Sequence, residues 1–262
     1  MSDILETICD ASRADLDAAK KRLPFAELLS AAEKTPRAAS FKSALRARGG
    51  NPAVIAEMKK ASPSAGLIRA DFEPSKLCVE LESAGASALS VLTERNYFLG
   101  SLEFLRDAAS RVKIPLLRKD FIFDEYQIAE AKAAGASAVL LIAKMLEKPD
   151  FKRLFDFAKS LSLDVLAEAH DEAEIEAALD CGADIVGVNC RNLRTFGLDF
   201  SVSERLLKTL PDGVVKVAES GVDSRETLLR ARDAGADAAL VGTALMKAQS
   251  PSAALEKLLG SL

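Results

Sequence analysis

The chain has no tryptophan, two tyrosines and one histidine among its 262 residues. A zinc site built on histidines needs more than His170, whose nearest cysteine, Cys181, belongs to no recognisable nucleophile motif. Metal and Cys/His chemistry therefore lack their residues, and no metal is expected. Cys9, Cys78, Cys181 and Cys190 are scattered, without a C-x-x-C pair or disulfide-rich spacing, which reads as free thiols in a reducing compartment. Basic excess is missing too: 35 Lys and Arg stand against 39 Asp and Glu, a formal charge of −4. That balance argues against a broad basic face for nucleic acid or for a membrane surface, so an anionic ligand must be met locally. Apolar runs stop at about six residues, far short of a membrane helix, and the N-terminus carries acids early without a continuous apolar core. A soluble cytoplasmic protein is expected, and 49% apolar residues suffice for a sizeable core.

What is present is a repeat. "SAGASALSVLT" at Ser83, "AAGASAVLLIA" at Ala133, "DCGADIVGVNC" at Asp180 and "DAGADAALVGT" at Asp233 share one order: glycine, alanine, a small polar residue, then a strand. The glycine suits the left-handed end of a helix, and the apolar run suits a strand buried on both faces of a parallel sheet. Four more strands follow from "AVIAEM" at Ala53, "IPLLRK" at Ile114, "LDVLAEA" at Leu163 and "VVKVAES" at Val214. Amphipathic stretches such as "PSKLCVELESAG", "SLEFLRDAASRV", "DEYQIAEAKAAG", "KPDFKRLFDFAKS", "DEAEIEAALDCG", "DSRETLLRARDAG" and "PSAALEKLLGSL" supply helices between them. Eight such units fit an α/β closed barrel, the (β/α)8 or TIM barrel, better than an open doubly wound sheet, whose G-x-G-x-x-G turn is absent. The expectation is a single TIM-barrel domain over 1–262, with an N-terminal helical extension at 1–50 and the barrel at 51–262. Helical patterns at "DILETI", "FAELLSAAEK" and "FKSALRAR", divided by Pro24 and Pro36, are expected to lie against the barrel.

In such a barrel chemistry sits at the C-terminal ends of the strands. Those ends read Glu57 and Lys59, Thr93 and Glu94, Lys119 and Asp120, Lys144, Glu168, Asn189 and Arg191, Glu219 and Ser220, and finally Gly242 and Thr243. Period-two alternation puts Glu57 with Lys59, and Asn189 with Arg191, on single faces. For Lys144, Glu94 and Asp120, strands simply exiting into solvent explain the charge equally well. Glu57, Lys59, Lys119, Glu168 and Glu219 still belong to the strand pattern, where an unpaired charge is costly to bury. Lysines and carboxylates gathered in one mouth support proton transfer. "ESGV" and "VGTALM" add glycine and hydroxyl groups at the last two strand-to-helix turns, which suits phosphate at Ser220, Gly221, Gly242 and Thr243.

In order along the chain, "IAEMKKASPSAG", "LSVLTERNYFLGS", "LLRKDFIFDEYQI", "VLLIAKML", "VGVNCRNL" and "KVAESGV" resemble the motifs of the indole-3-glycerol-phosphate synthase family. The match runs from about residue 40 to the C-terminus. The resemblance implies a carboxy-lyase of tryptophan biosynthesis that needs no cofactor. It converts 1-(2-carboxyphenylamino)-1-deoxyribulose 5-phosphate to indole-3-glycerol phosphate with loss of CO2 and water. It further implies Lys119 as general acid and Lys59 as the cation for the substrate carboxylate, with the division of labour between the two lysines open. Glu168 would be the acid-base group of dehydration, with Glu57 and Glu219 as partners and Glu57 an alternative base. Asn189 and Arg191 would contact substrate, its ring lying among Pro63, Phe98, Phe121, Leu140 and Leu193, with Ser62 a further neighbour of the phosphate. Two positions depart from the pattern: Thr243 stands where serine or glutamate is frequent, keeping hydroxyl and N–H, and Cys190 falls between Asn189 and Arg191, where alternation turns it toward packing.

Three rivals share parts of this pattern. Phosphoribosylanthranilate isomerase would need a cysteine on the first strand, where this chain has Glu57 and Lys59. A Schiff-base aldolase would be trapped on Lys119 by borohydride, and a non-catalytic phosphate-binding barrel would be expected to have lost one of the charged residues. The partner expected is a small phosphorylated molecule, with neither nucleic acid nor membrane, and a monomer is the simplest assembly.

Overall fold

In the computed structural model, which describes residues 4–46, 50–191 and 197–260, eight parallel strands close on themselves. They are β1 (Ala53–Met58), β4 (Ala88–Leu92), β5 (Leu116–Lys119), β6 (Ala138–Ile142), β7 (Asp164–Ala169), β8 (Ile185–Asn189), β9 (Val215–Glu219) and β10 (Ala238–Val241). β1 pairs with both β4 and β10, which completes the ring. The four repeat glycines, Gly85, Gly135, Gly182 and Gly235, all have φ between 88 and 99°, the left-handed turn that passes each helix to its strand.

Alternation divides the strand residues into two cores. Outward residues such as Val54, Ala56, Val139, Leu141, Val165 and Ala167 pack under the helices. Inward residues form a separate column that includes Ile55, Leu117, Leu140, Leu166, Val217 and Leu240. The bottom of that column is closed by α3 (Phe41–Leu45), whose Phe41 and Leu45 are fully buried inside the barrel. Ser40 caps α3, and the Lys42 N–H donates to Asp164 at 3.0 Å while its ammonium pairs with Asp184 at 2.7 Å. The column's top is where the sequence turns from Leu and Ile to Glu and Lys.

The extension spans the barrel from top to bottom. α1 (Ile4–Arg22) is one continuous helix, much longer than the "DILETI" pattern alone suggested, because its charged positions carry a sparse apolar face at Ile8, Leu16 and Ala19. Tyr126 ties its end down by donating to the carbonyls of Ala19 and Leu23, and Lys20 pairs with Asp124 at 2.7 Å. α2 (Phe25–Lys34) follows Pro24 and lies beside α6 (Glu125–Ala133). The seven helices read from amphipathic stretches are present as α4 (Pro74–Ser83), α5 (Leu102–Arg111), α6, α7 (Lys148–Ser160), α8 (Glu172–Asp180), α10 (Arg225–Asp233) and α12 (Pro251–Leu259). Among the described residues four elements are additional: α9 (Phe200–Leu207), α11 (Thr243–Lys247), a single 3-10 turn at Ala143–Met145, and a hairpin of β2 (Ala61–Ser62) and β3 (Gly66–Leu67) after β1. All are too short to show a period.

Candidate active site

On five of the eight strands the inward column ends in a functional group at the barrel mouth, while on β4, β6 and β10 it ends in Leu92, Ile142 and Leu240. On β1 it runs Ala53, Ile55, Glu57; on β5 Leu117, Lys119; on β7 Leu166, Glu168; on β8 Ile185, Gly187, Asn189; on β9 Val215, Val217, Glu219. Register brings them level, Asn189 beside Glu219 and Glu168 beside Gly187. Lys119 Nζ reaches Glu168 Oε2 at 2.6 Å and Glu219 Oε2 at 3.1 Å, and Asn189 donates to the other Glu168 oxygen at 3.0 Å. Lys59 lies one residue beyond β1 and pairs with Glu57 Oε1 at 2.6 Å. That pair is an ion contact without hydrogen-bond geometry, so Glu57 Oε1 has no hydrogen-bond donor among the described residues.

Glycines make room for these carboxylates. A Cβ at Gly187 would overlap Glu219 Oε1, and one at Gly242 would lie 2.7 Å from Glu57 Oε1. The site thus holds three buried carboxylates against two lysines. Burial pushes the Glu219 acid up to about 8, Lys119 counteracts and the neighbouring Glu168 charge adds to the rise. Burial acts on Glu168 in the same direction, but Lys119, His170 and the bonds from Lys119 and Asn189 hold it down to about 2. Lys119 is desolvated as well, yet Glu168, Glu219 and Glu57 together raise it above the ordinary lysine value. Of the two carboxyls that share Lys119, Glu219 is thus the one held toward its protonated form and Glu168 the one held ionised.

Around this cluster the cavity is lined by Ser62, Pro63, Phe98, Phe121, Leu140, Asn189, Arg191, Ser220 and Thr243. The Phe98 and Phe121 rings stand 6.0 Å apart at 44°, forming an apolar wall. Ser220 and Gly221 take consecutive left-handed conformations, φ 64° and 75°, in the turn after β9. Glu94 and Asp120 are buried, so solvent exit does not explain them; they pin loops instead. Glu94 accepts the N–H groups of Asn96, Tyr97 and Phe98, fixing the loop that carries Phe98. Asp120 accepts from Thr93, Arg118 and its neighbour's N–H. Lys144 is exposed, as the solvent reading has it.

The family model for indole-3-glycerol phosphate synthase matches residues 5–258 of this chain. The chain belongs to the indole-3-glycerol phosphate synthase family. Indole-3-glycerol phosphate synthase of Koribacter versatilis is 52% identical over 263 residues, covering 99% of this chain and 100% of that protein. That of Nautilia profundicola is 47% identical over 245 residues, covering 93% of each. Among solved structures, the tryptophan synthase alpha-subunit of Pyrococcus furiosus aligns with TM-score 0.62 at 15% identity, covering 81% of this chain and 100% of its own. N-acetylmannosamine-6-phosphate 2-epimerase of Clostridium perfringens aligns with TM-score 0.62 at 16% identity, covering 84% and 95%. These two likenesses concern the barrel fold alone.

As a member of the indole-3-glycerol phosphate synthase family, the chain brings together Glu57, Lys59, Ser62, Pro63, Phe98, Lys119, Phe121, Leu140, Glu168, Asn189, Arg191, Glu219, Ser220 and Thr243 around one cavity. Gly221 and Gly242 stand one residue behind that lining: Gly221 lies against the Phe200 ring and Gly242 against Glu57. Leu193 lies outside the described residues. Cys190 is buried with its thiol near the carbonyls of Glu219 and Ser220, consistent with packing. Seven lining residues were not singled out from the sequence: Leu92, Ile142 and Leu240 at strand ends, Ser64 in the hairpin loop, and Ile4, Leu5 and Ile8 of α1. The only signal for α1 was the apolar spacing of Ile4 and Ile8 in a charged helix.

Proposed function

We propose that the chain closes the indole ring of 1-(2-carboxyphenylamino)-1-deoxyribulose 5-phosphate, giving indole-3-glycerol phosphate, CO2 and water. The aromatic carbon bearing the carboxylate bonds to the ribulose carbonyl carbon, and the carbonyl oxygen takes a proton as it becomes an alcohol. The ring–carboxylate bond then breaks to CO2 and aromaticity returns. Loss of that hydroxyl as water, with a proton from the adjoining methylene carbon, forms the indole double bond.

One observation carries this reading: the Lys119 ammonium, bridged between Glu168 and Glu219, opens onto the same cavity as the Lys59–Glu57 pair and the Phe98–Phe121 wall. Lys119 is the general acid. It is charged at every working pH, and the alkoxide developing on the substrate is more basic than an amine, so transfer runs downhill. Lys59 holds the substrate carboxylate until it leaves and supplies the proton that departs with the hydroxyl. Glu168, ionised, takes the methylene proton, while Glu57 Oε1 and protonated Glu219 meet sugar hydroxyls. Pro63, Phe98, Phe121 and Leu140 hold the ring flat against the carbonyl. Asn189 and Arg191 orient the chain, and Ser220, Gly221, Gly242, Thr243 and Ser62 receive the phosphate.

The chain's four buried free thiols support a cytoplasmic setting. No helix of the described residues is long and apolar enough to cross a membrane. A Schiff-base role for Lys119 is disfavoured because such a lysine needs a lowered pKa, and here it is raised. Mixing purified protein with the substrate should produce indole fluorescence together with CO2. No fluorescence, or covalent trapping of Lys119 by borohydride in the presence of a carbonyl substrate, would overturn the reading.

A further inference from the structure

The chain's only histidine, His170, sits two residues past Glu168 and outside the cavity lining, with its side chain 10% exposed. Its two ring nitrogens face two carboxylates. Nδ1 is hydrogen-bonded to Glu174 Oε2 at 3.1 Å, while Nε2 lies 3.5 Å from Glu168 Oε1, an ion-pair distance at which it makes no hydrogen bond among the described residues. A neutral imidazole has one N–H donor and one lone pair, so either tautomer would aim a lone pair at a carboxylate oxygen. Only the imidazolium keeps the Nδ1 hydrogen bond to Glu174 and at the same time sets positive charge beside Glu168. Glu174 is held for this contact: its Oε2 also accepts the His170 N–H at 2.8 Å, and its own N–H donates to the α8 cap, Asp171.

We propose that His170 is a positioning residue, whose imidazolium is clamped by Glu174 and keeps Glu168 ionised and aimed at Lys119 and the substrate. The proposal rests on the reading of Glu168 as the acid-base carboxylate. Glu168 is 3% exposed and its nearest cation, Lys119, is shared with Glu219. Without a second cation the two carboxyls would compete for one ammonium, and the proton held by Glu219 could pass to Glu168. His170 removes that ambiguity by adding positive charge on the Glu168 side alone. The charged groups facing the ring are Glu168 on β7, Glu174 on α8 and Lys144 in the turn after β6. Burial and Lys144 oppose the imidazolium, but the Glu174 hydrogen bond and the charges of Glu168 and Glu174 outweigh them and raise its pKa.

Deprotonation at higher pH would turn a lone pair toward Glu168 and release it, so turnover falls as pH rises through the imidazolium pKa. Because the chain has one histidine, nitrogen-15 NMR of the imidazole reports this ring alone. In the unmodified protein the ring should be doubly protonated at neutral pH, and Glu174→Gln should move its titration to lower pH. In steady-state assays His170→Gln should lower kcat roughly tenfold with KM nearly unchanged, the loss expected of a group that supports a reactive one. Wild-type kcat should descend to that level as pH rises through the NMR titration, and His170→Gln should lack this step. A neutral ring at neutral pH, or a folded His170→Gln protein with wild-type kcat at all pH, overturns the proposal. A wild-type protein that makes no indole product overturns the function instead, and the NMR titration tells the two failures apart.

Discussion

Lys119 is contested by two carboxylates, and the way that contest resolves sets the chemistry. Lys119→Ala removes the proposed acid and should lower kcat/KM by about 10²- to 10⁴-fold, with the circular dichroism and melting behaviour of a folded barrel. Glu219 gives a test in pH. Its carboxyl has an ordinary value of 4.5 and is pushed up to about 8 by burial, so between those values the folded state holds a proton that the unfolded chain has released. Stability is therefore lost as pH rises through that window. Glu219→Gln should remove the loss: by urea unfolding its stability relative to wild type should grow as pH rises from 5 to above 8, while turnover falls. A third contrast lies within one dipeptide. Lys59 lines the cavity and Lys60 does not, so Lys59→Ala should cripple turnover and Lys60→Ala should leave it within about twofold. The charged residues of the site were legible because alternation and the strand-end rule together predict where a lysine or glutamate in an apolar run must emerge. Gly187 and His170 were not, since the clearance one gives Glu219 and the contact the other makes with Glu168 exist only after strands have aligned.

At the scale of elements, β1, β5, β7, β8 and β9 each stop being core and become site within a single alternation. Gly187→Ala tests how closely that transition is fitted: its Cβ would overlap the Glu219 carboxylate and approach Leu166 at 3.2 Å. It should cost about 1–3 kcal/mol of stability and most of the activity, because Glu219 must leave Lys119 to make room. The strands themselves could be read from four glycine-led repeats and four β-branched runs, since a strand buried on both faces leaves an uninterrupted apolar signature. The hairpin, α9 and α11 are two to eight residues per element, shorter than the periods that reveal them. α1 was under-read for another reason. It packs by only a narrow apolar face and by Tyr126 donating to the carbonyls at its end, a tertiary contact with no local trace.

The whole molecule is polarised along the barrel axis, with a dry plug below and charge above. Phe41 belongs to the plug, fully buried among the inward residues of the strands. Phe41→Ala should cost about 3–5 kcal/mol in chemical denaturation yet leave kcat near wild type at temperatures where the barrel stays folded. That separation of stability from chemistry is the signature of the fold, in which only the upper end of the column meets substrate. The central claim is that one lysine at the upper end drives ring closure. Single-turnover formation of indole fluorescence from 1-(2-carboxyphenylamino)-1-deoxyribulose 5-phosphate, compared between wild type and Lys119→Ala, tests it most directly. Wild type should form the indole product in a rapid phase that falls by at least about 10²-fold in Lys119→Ala. A variant that closes the ring at the wild-type rate would contradict the account.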